Sequence, residues 1–419
     1  VSAPKGALTD DLRAELSKCK EQIKALLRDA RAADQSDGIP QVARAQHMPV
    51  SHTQQRLWFM KQMDPASSVY NVANAFRMEG RLDIRAFERA LRDLVVRHEG
   101  LRTRFITIDG APRCVIEPEP AMHLEQIDIS HLPQEERERE AERIVQAIAR
   151  RPFRLERAPL MHLGLVHITD DLHYFCFVLD HIVSDGLSIG ILVSELQALY
   201  AQYVTGRAAN LPPLPAQYLD YAEWQRRRLA GGALAEHLNY WKEQLRPLSS
   251  ALQLPSDRPR PKIQTFNGAR VLKKFPPALS QQLKALARAE GVTLYMVLLA
   301  AFKVLLHRYT NDELIAVGSA IANRNRPLVD RVIGFFANNI VLLGDLSGEP
   351  TVREMLARVR DTALKAYAHQ DMPFDVLVDA VSVHRELDHS PLFQVMFVLH
   401  TLLLDRVDLV GLTCKPVEI

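Results

Sequence analysis

Hydrophobic residues recur every three or four positions in several stretches of the chain and form short continuous runs in others. The first pattern is typical of amphipathic helices and the second of buried strands. The clearest helical stretches are 84–97, 188–204 (followed by Gly206) and 293–309, and the clearest strand stretches are 174–179 and 314–318. This mixture predicts an α/β (α+β) fold with a large buried core.

The organisation of the pattern divides the chain into a leader and two halves. Leu12, Leu16, Ile23 and Leu27 lie on one face of a predicted amphipathic leader helix within residues 1–36, and residues 34–46 lose the periodicity, as a linker does. Further along, the Pro-rich stretch 211–217 predicts a semi-rigid connector. We therefore expect a first lobe over 47–215 and a second lobe over 216–419.

Composition excludes several classes of function. The 52 Lys and Arg residues balance 50 Asp and Glu residues, so a net charge of +2 gives no electrostatic reason to expect nucleic acid or an anionic membrane as a partner. The four cysteines lack CxxC or metal-ligand spacing, which argues against a zinc site and fits a reducing cytoplasm. The longest apolar run, Leu294 to Leu306, is interrupted by Lys303 and is too short to span a membrane.

The candidate chemistry lies where a predicted strand ends and a helix begins. The segment DHIVSDGLS (180–188) places His181 on the intervening turn, from which an imidazole can project into a cleft. A neutral imidazole can accept a proton or a hydrogen bond from an attacking amine. Gly186 permits close approach of a ligand to the backbone, and Asp185 and Ser188 are N-cap candidates for the helix. The motif HxxxDG alone is weak evidence of function.

Seven stretches, in order along about nine-tenths of the chain, carry a more specific signal. They resemble the successive core motifs of the condensation domains of nonribosomal peptide synthetases. They are SHTQQRLWFM (51–60), RHEGLRTRF (97–105), DHIVSDGLS (180–188), YLDYAEWQ (218–225), IGFFANN (333–339), HQDMPFD (369–375) and HSPLFQVMF (389–397).

The resemblance implies a fold and an activity. It implies two chloramphenicol acetyltransferase-like lobes that form a V-shaped pseudodimer with a central tunnel. Donor and acceptor carrier proteins present acyl and aminoacyl thioesters from opposite mouths, and the domain joins them through an amide bond. No metal or cofactor is expected on this chain, because phosphopantetheine arrives on the partner carrier proteins.

The resemblance also assigns residues. His181 matches the catalytic second His of the family motif HHxxxDG, and Asp185 and Gly186 match its last two positions. The family pairs this Asp with an Arg for which Arg102 is the best match, and such a buried pair supports the loop structurally. Four further residues lie in segments that line the tunnel or connect the lobes in relatives: Trp224, Arg326, Asn338 and Asn339.

Position 180 departs from the family, because Asp180 replaces the first His of the motif. Whether the change is natural or introduced, a carboxylate on the packed side of the loop requires a partner. We therefore predict a cation or hydrogen-bond donor in contact with Asp180.

Three other functions are open, two of them because of the change at position 180. The segment now also fits DxxxxDxxS, the signature of heterocyclization domains, although SHTQQRLWFM, IGFFANN and HQDMPFD are of the condensation type. An epimerization domain shares the fold and the His motif. A disabled active site would leave a module that binds carrier proteins without catalysis.

The leader sequence suggests one more partner. Residues 3–30 resemble the C-terminal half of the small docking domain that begins some megasynthetase subunits. Such a domain would bind the C-terminal segment of an upstream subunit, so the donor carrier protein would be supplied by another chain. An ordinary leader helix packed on the main fold is the alternative.

Overall fold

We describe a computed structural model of the chain, covering residues 38–119, 121–232, 234–248, 252–259, 261, 265–381, 392–400 and 407–419. The predicted leader helix, with its stripe of Leu12, Leu16, Ile23 and Leu27, lies outside these described residues. Among the described residues, no single helix is long and apolar enough to cross a membrane. One pair of helices, Pro277–Ala289 and Leu294–Thr310, passes that test jointly but is bent by 103°.

The first half of the chain builds a mixed layer of strands and helices. Its elements are β1 (Met48–Pro49), α1 (His52–Met63), β2 (Asn71–Glu79), α2 (Ile84–Arg97), β3 (Thr103–Ile108), β4 (Ala111–Ile116), β5 (Leu124–Asp128), α3 (Gln134–Ala149), β6 (Met161–Thr169), β7 (Leu172–Asp180) and α4 (Gly186–Thr205). The second half contributes α5 (Tyr218–Ala230), α6 (Ala235–Leu245), α7 (Pro277–Ala289), α8 (Leu294–Thr310), β8 (Leu314–Ile321), β9 (Asn338–Asp345), α9 (Val352–Ala368), α10 (Phe374–Val381) and β10 (Thr413–Val417).

A five-stranded sheet in the order β10-β2-β7-β6-β5 holds the main core. Its centre is β7, which pairs antiparallel with β2 on one side and β6 on the other. The run from Tyr174 to Leu179 is buried throughout, as expected for a central strand covered on both faces. On one face Phe87 of α2 meets Phe175 edge to face, with ring centroids 4.8 Å apart.

The last strand crosses between the halves. Thr413–Val417 (β10) pairs antiparallel with β2, from Thr413 opposite Glu79 to Val417 opposite Ala75. Val407 and Leu409 are buried in the same core as β2 and β7. The range 216–419 is predicted as the second lobe from its position in the chain, but its last residues pack in the core of the first lobe.

The second half has its own core around the hairpin-like pair β8 and β9. Helices α8 and α9 contact each other and this pair. On the other side of β8, the N–H of Gly318 donates to Val395 O and the N–H of Phe397 donates to Gly318 O. Lys303 of α8 is fully buried in this core, whereas Val304 and Leu305 of the same helix are exposed. Helix α8 is therefore buried on one face and not throughout as its apolar sequence predicts.

Local signals in the sequence explain where the main helices begin and end. Residues 84–97 form a helix, as predicted, and Asp83 caps its N-terminus. The helix predicted over 188–204 covers Gly186–Thr205 and ends at Gly206, whose φ of 74° lies in the left-handed region that glycine adopts freely. Thr293 caps α8 through the N–H of Met296.

Candidate active site

The turn that carries His181 connects the central strand of the first-lobe sheet to α4. Strand β7 ends at Asp180, His181–Val183 form one turn of 3-10 helix, and α4 begins at Gly186. Backbone hydrogen bonds fix the entry to this turn, because the N–H of His181 donates to Tyr70 O at 2.8 Å. Strand and helix therefore hold the turn rigidly, while the His181 side chain itself is only partly buried.

The His181 ring has a defined tautomer. Its Nδ1 lies 2.6 Å from the carbonyl oxygen of Ser184. A carbonyl oxygen only accepts hydrogen bonds, so Nδ1 carries the proton and Nε2 of the neutral ring is an acceptor. The Phe335 ring of the second lobe packs edge-on against the imidazole, with centroids 4.8 Å apart. His181 thus lies at the junction of the lobes and is not enclosed in the core.

Asp185 is the buried residue that joins the two lobes below this turn. It caps α4, since its Oδ1 accepts the N–H of Ser188 at 2.8 Å, as the sequence predicted. Its Oδ2 accepts the N–H of Phe336 from the second lobe at 3.1 Å. Arg324 completes the set at 3.1 Å. One carboxylate therefore satisfies donors from both halves of the chain.

The prediction that Arg102 pairs with Asp185 is wrong. Arg102 donates to the backbone oxygen of Glu117 at 2.7 Å and is not an ion-pair partner of Asp185. Arg102 lies just before the β3–β4 hairpin, so it closes the end of that hairpin, whereas Asp185 faces the second lobe. In the same RHEGLRTRF stretch, the titratable side chain that is fully buried is His98, whose Nε2 lies 2.8 Å from Glu195 Oε2.

Arg324 is the residue that the sequence analysis missed. Its side chain is 4% exposed, and one of its nitrogens donates to the carbonyls of Val329 and Val332 at 2.7 Å. Its guanidinium also lies over the Phe336 ring, 4.1 Å from the centroid. The run ANRNRP contains two arginines, of which Arg324 pairs with Asp185 and Arg326 with Asp371, and nothing in the sequence indicates which of the two reaches Asp185.

Ser188 strengthens the contact between the lobes. Its Oγ lies 2.8 Å from Asp185 Oδ1 and 2.9 Å from Gly334 O, the two acceptors open to its single proton. The same oxygen accepts the N–H of Gly334 at 3.1 Å and a donor from Arg324 at 2.9 Å. Gly334 itself packs on Tyr218, because a Cβ at this position would lie 1.9 Å from that ring. Even a single methyl group at position 334 would therefore clash at this contact.

The predicted donor for Asp180 is present. Asp180 is 4% exposed, and its Oδ1 accepts the backbone N–H of Ile182 at 2.9 Å. Burial raises the pKa of this carboxyl, and the Ile182 hydrogen bond and the charge of Lys61 partly oppose that change. In this chain Asp180 caps the turn that carries His181.

Gly186 leaves open space beside the turn. It is exposed, and a Cβ built on it would meet no protein atom within 4 Å. The protein's own packing does not require glycine here, and φ is not positive. Any requirement for a small residue at Gly186 must therefore come from a ligand that approaches the backbone.

The four predicted tunnel residues separate into two groups. Trp224 and Arg326 line one small cleft, in which the Arg326 guanidinium lies 4.2 Å from the Trp224 ring centroid. Asn338 is buried and structural, because its amide donates to Gln370 O and Met372 O and accepts the N–H of Phe374. Asn339 is a partly buried residue of β9 opposite Ala320.

Comparisons with known proteins agree with this architecture. The family model described as the condensation domain matches residues 44–410. One of the linear gramicidin synthase subunits of Brevibacillus parabrevis is 47% identical over 377 residues, which is 90% of this chain and 7% of that protein. This chain thus spans a small part of the relative's length.

Solved structures share the fold. The X-domain in its complex with OxyB from teicoplanin biosynthesis superposes with a TM-score of 0.81 and 25% identity, over 91% of this chain and 82% of that chain. The first condensation domain of the calcium-dependent antibiotic synthetase, in complex with a substrate analogue, superposes with a TM-score of 0.72 and 20% identity, over 89% and 84%. The predicted α/β fold is confirmed, and this chain belongs to the condensation domain family of nonribosomal peptide synthetases.

Proposed function

We propose that this chain joins a donor acyl thioester to an acceptor amine, both carried on the phosphopantetheine arms of carrier proteins, and that His181 is its catalytic residue. The observation that carries the proposal is the state of the His181 ring: Nδ1 is committed to Ser184 O, and Nε2 is an acceptor on a partly exposed side chain between the lobes. An acceptor at that place suits an incoming amine.

The reaction needs few groups. The amine nitrogen attacks the thioester carbonyl carbon, the C–N bond forms, and the C–S bond breaks to release the donor arm as its thiol. His181 Nε2 accepts a proton from the amine or orients the amine by a hydrogen bond. The proton that the amine loses leaves on the departing sulfur. Most of the acceleration comes from holding two tethered substrates together, which makes the step effectively unimolecular. Gly186 leaves room for the reacting centre.

Other residues support this arrangement. Asp185, Ser188 and Arg324 hold α4 against the second lobe, and Asp180 caps the turn. We assign 47–215 and 216–419 as the two lobes, with the end of the second range crossing into the first-lobe sheet. The two arms then reach His181 from opposite ends of a passage between the lobes, with Trp224 and Arg326 at its wall.

The proposal extends to partners and location. Donor and acceptor carrier proteins are the partners, and the chain itself holds no cofactor. Residues 1–36 would receive an upstream synthetase subunit, so that the donor arrives in trans. The site of action is the cytoplasm, in keeping with cysteines that lack disulfide spacing.

The experiment that tests the function uses separately loaded donor and acceptor carrier proteins and intact-mass detection of the product. The wild-type chain should transfer the acyl group to the acceptor, and His181→Ala should lose most of this activity. The exposed His131 provides a matched control, since His131→Ala should transfer at the wild-type rate. Equal rates for wild type and His181→Ala would remove the imidazole from the mechanism.

The product distinguishes the related reactions. A simple amide supports condensation. Loss of one water from that product, through ring closure onto Cys, Ser or Thr, would assign heterocyclization, and inverted stereochemistry would assign epimerization. A large gain in Asp180→His would identify Asp180 as an impairing substitution.

A second candidate is a module that binds partners without catalysis. Two observations favour it: Asp180 stands in place of the family His, and the fold superposes on an X-domain whose structure was solved in complex with OxyB. Binding of a loaded carrier protein without any product, in wild type and Asp180→His alike, would assign this role.

A further inference from the structure

We propose that Gln54 is a positioning residue, which fixes the His181 turn by holding the carbonyl of Ile182, the residue that follows His181. The inference rests on the proposed function only in its kinetic consequence, because the geometry of the clamp can be tested without turnover. Gln54 lies in SHTQQRLWFM, a stretch for which the sequence analysis assigned no role.

Both ends of the Gln54 amide are committed. Gln54 is 3% exposed and occupies the third position of α1. Its Oε1 accepts the N–H of Ser51 at 3.1 Å, which forms one half of the capping box that starts α1. Because that oxygen must be the acceptor, the NH2 end points the other way, and its Nε2 donates to Ile182 O at 3.0 Å.

The Ile182 residue is therefore held through both of its backbone polar groups. Asp180 Oδ1 accepts a hydrogen bond from the Ile182 N–H at 2.9 Å, and Gln54 Nε2 donates one to the Ile182 carbonyl. His181 lies between Asp180 and Ile182, so its backbone has little freedom to rotate. The Nδ1 contact with Ser184 O, which sets the tautomer, depends on the geometry of this short turn.

The first turn of α1 contacts the other side of the site as well. Thr53 Oγ1 donates to the carbonyl of Phe335 at 3.3 Å, and Tyr218 donates to the same oxygen at 2.6 Å. Phe335 is the residue whose ring packs on His181. Adjacent residues of one helix thus position the catalytic ring and its packing partner relative to each other.

The substitution Gln54→Glu removes the side-chain NH2 donor and keeps the acceptor oxygen, so it tests the donor alone. Glu is a natural third residue of a capping box, so the start of α1 is kept. The NH2 donor is lost, and an ionised carboxylate would face the Ile182 carbonyl. Burial raises the pKa of a carboxyl, and its protonated form regains an O–H donor. The defect should therefore weaken as the pH is lowered, which a simple loss of stability would not do.

The experiment measures kcat and KM for amide formation across pH, with Gln62→Glu on the exposed side of α1 as the matched control. Gln54→Glu should lower kcat about 10- to 100-fold with KM changed by less than about twofold, because misplacing a catalytic group acts on the chemical step. The ratio of variant to wild-type kcat should rise as the pH falls. Gln54→Met, which lacks both bonds, should show no such recovery.

A second measurement keeps the proposal separate from the proposed function. The nitrogen-15 NMR shifts of the His181 ring are assigned by their absence in His181→Ala. They should show the Nδ1–H tautomer in wild type and Gln62→Glu, and a mixture of the two tautomers in Gln54→Glu. This holds even if the wild type forms no amide. An unchanged ring in Gln54→Glu, or a lowered kcat without recovery at lower pH, overturns the proposal.

Discussion

Replacing Arg324 with Met tests the buried contact between the lobes. The ion pair with Asp185 is nearly dry, with side-chain exposures of 4% for Arg324 and 2% for Asp185. Removing one partner from such a pair costs about 3–5 kcal/mol, because the other charge stays buried. Asp185 would keep its hydrogen bonds from Ser188 and from the Phe336 N–H, which places the loss near the lower limit, about 3 kcal/mol.

A double-mutant cycle separates the pair from its surroundings. Urea unfolding of Arg324→Met, Asp185→Asn and the double variant gives their coupling free energy. We expect each single variant to lose about 3 kcal/mol and the double variant to lose at least about 1 kcal/mol less than the sum. Additivity within about 0.5 kcal/mol would show that the two groups do not stabilise each other, and the account of this contact would be wrong.

Three further predictions concern stability and activity. Burial lowers the pKa of Lys303 from 10.5 to about 7, so the unfolded chain binds the proton more tightly than the folded chain does. Lys303→Met should therefore stabilise the fold by up to about 5 kcal/mol below pH 7, and this pH-dependent gain should vanish above pH 10.5; no gain at pH 7 in urea unfolding would contradict the burial argument. Gly334→Ala should destabilise the fold in urea unfolding, because the added methyl group clashes with Tyr218. Gly186→Ala should unfold like wild type and lose amide formation, and wild-type activity in this variant would show that no substrate approaches that backbone. Arg102→Met should lower the free energy of unfolding in urea by about 1 kcal/mol, because its contact is a hydrogen bond to the Glu117 carbonyl. A loss of about 3 kcal/mol, as large as that expected for Arg324→Met, would restore the original assignment.

Local patterns predicted the elements that carry the site, because those elements are set by near neighbours in sequence. The helix over 84–97, the strand before Asp180 and the Gly206 helix end all depend on periodicity and capping. The cap role of Asp185 was predictable for the same reason.

Contacts between distant segments were not predictable. Asp185 pairs with Arg324 and not with Arg102 because a loop of the second lobe packs against it. Arg324 and Asp185 are 139 positions apart in the sequence, so local patterns do not reveal this contact. The crossing of β10 to the edge of the first-lobe sheet is likewise a pairing across the whole chain. The Lys303 side chain is buried without a hydrogen-bond partner among the described residues. The sequence does not indicate this, because it shows only one charged residue on an apolar helix.

The proposed role of His181 is to act through its imidazole on the incoming amine. Its most direct test is the single-turnover rate of amide formation from loaded carrier proteins, measured for wild type, His181→Ala and the His131→Ala control at one pH. We expect a fall of about 100-fold or more for His181→Ala and none for the control. A His181→Ala rate equal to that of wild type would contradict it.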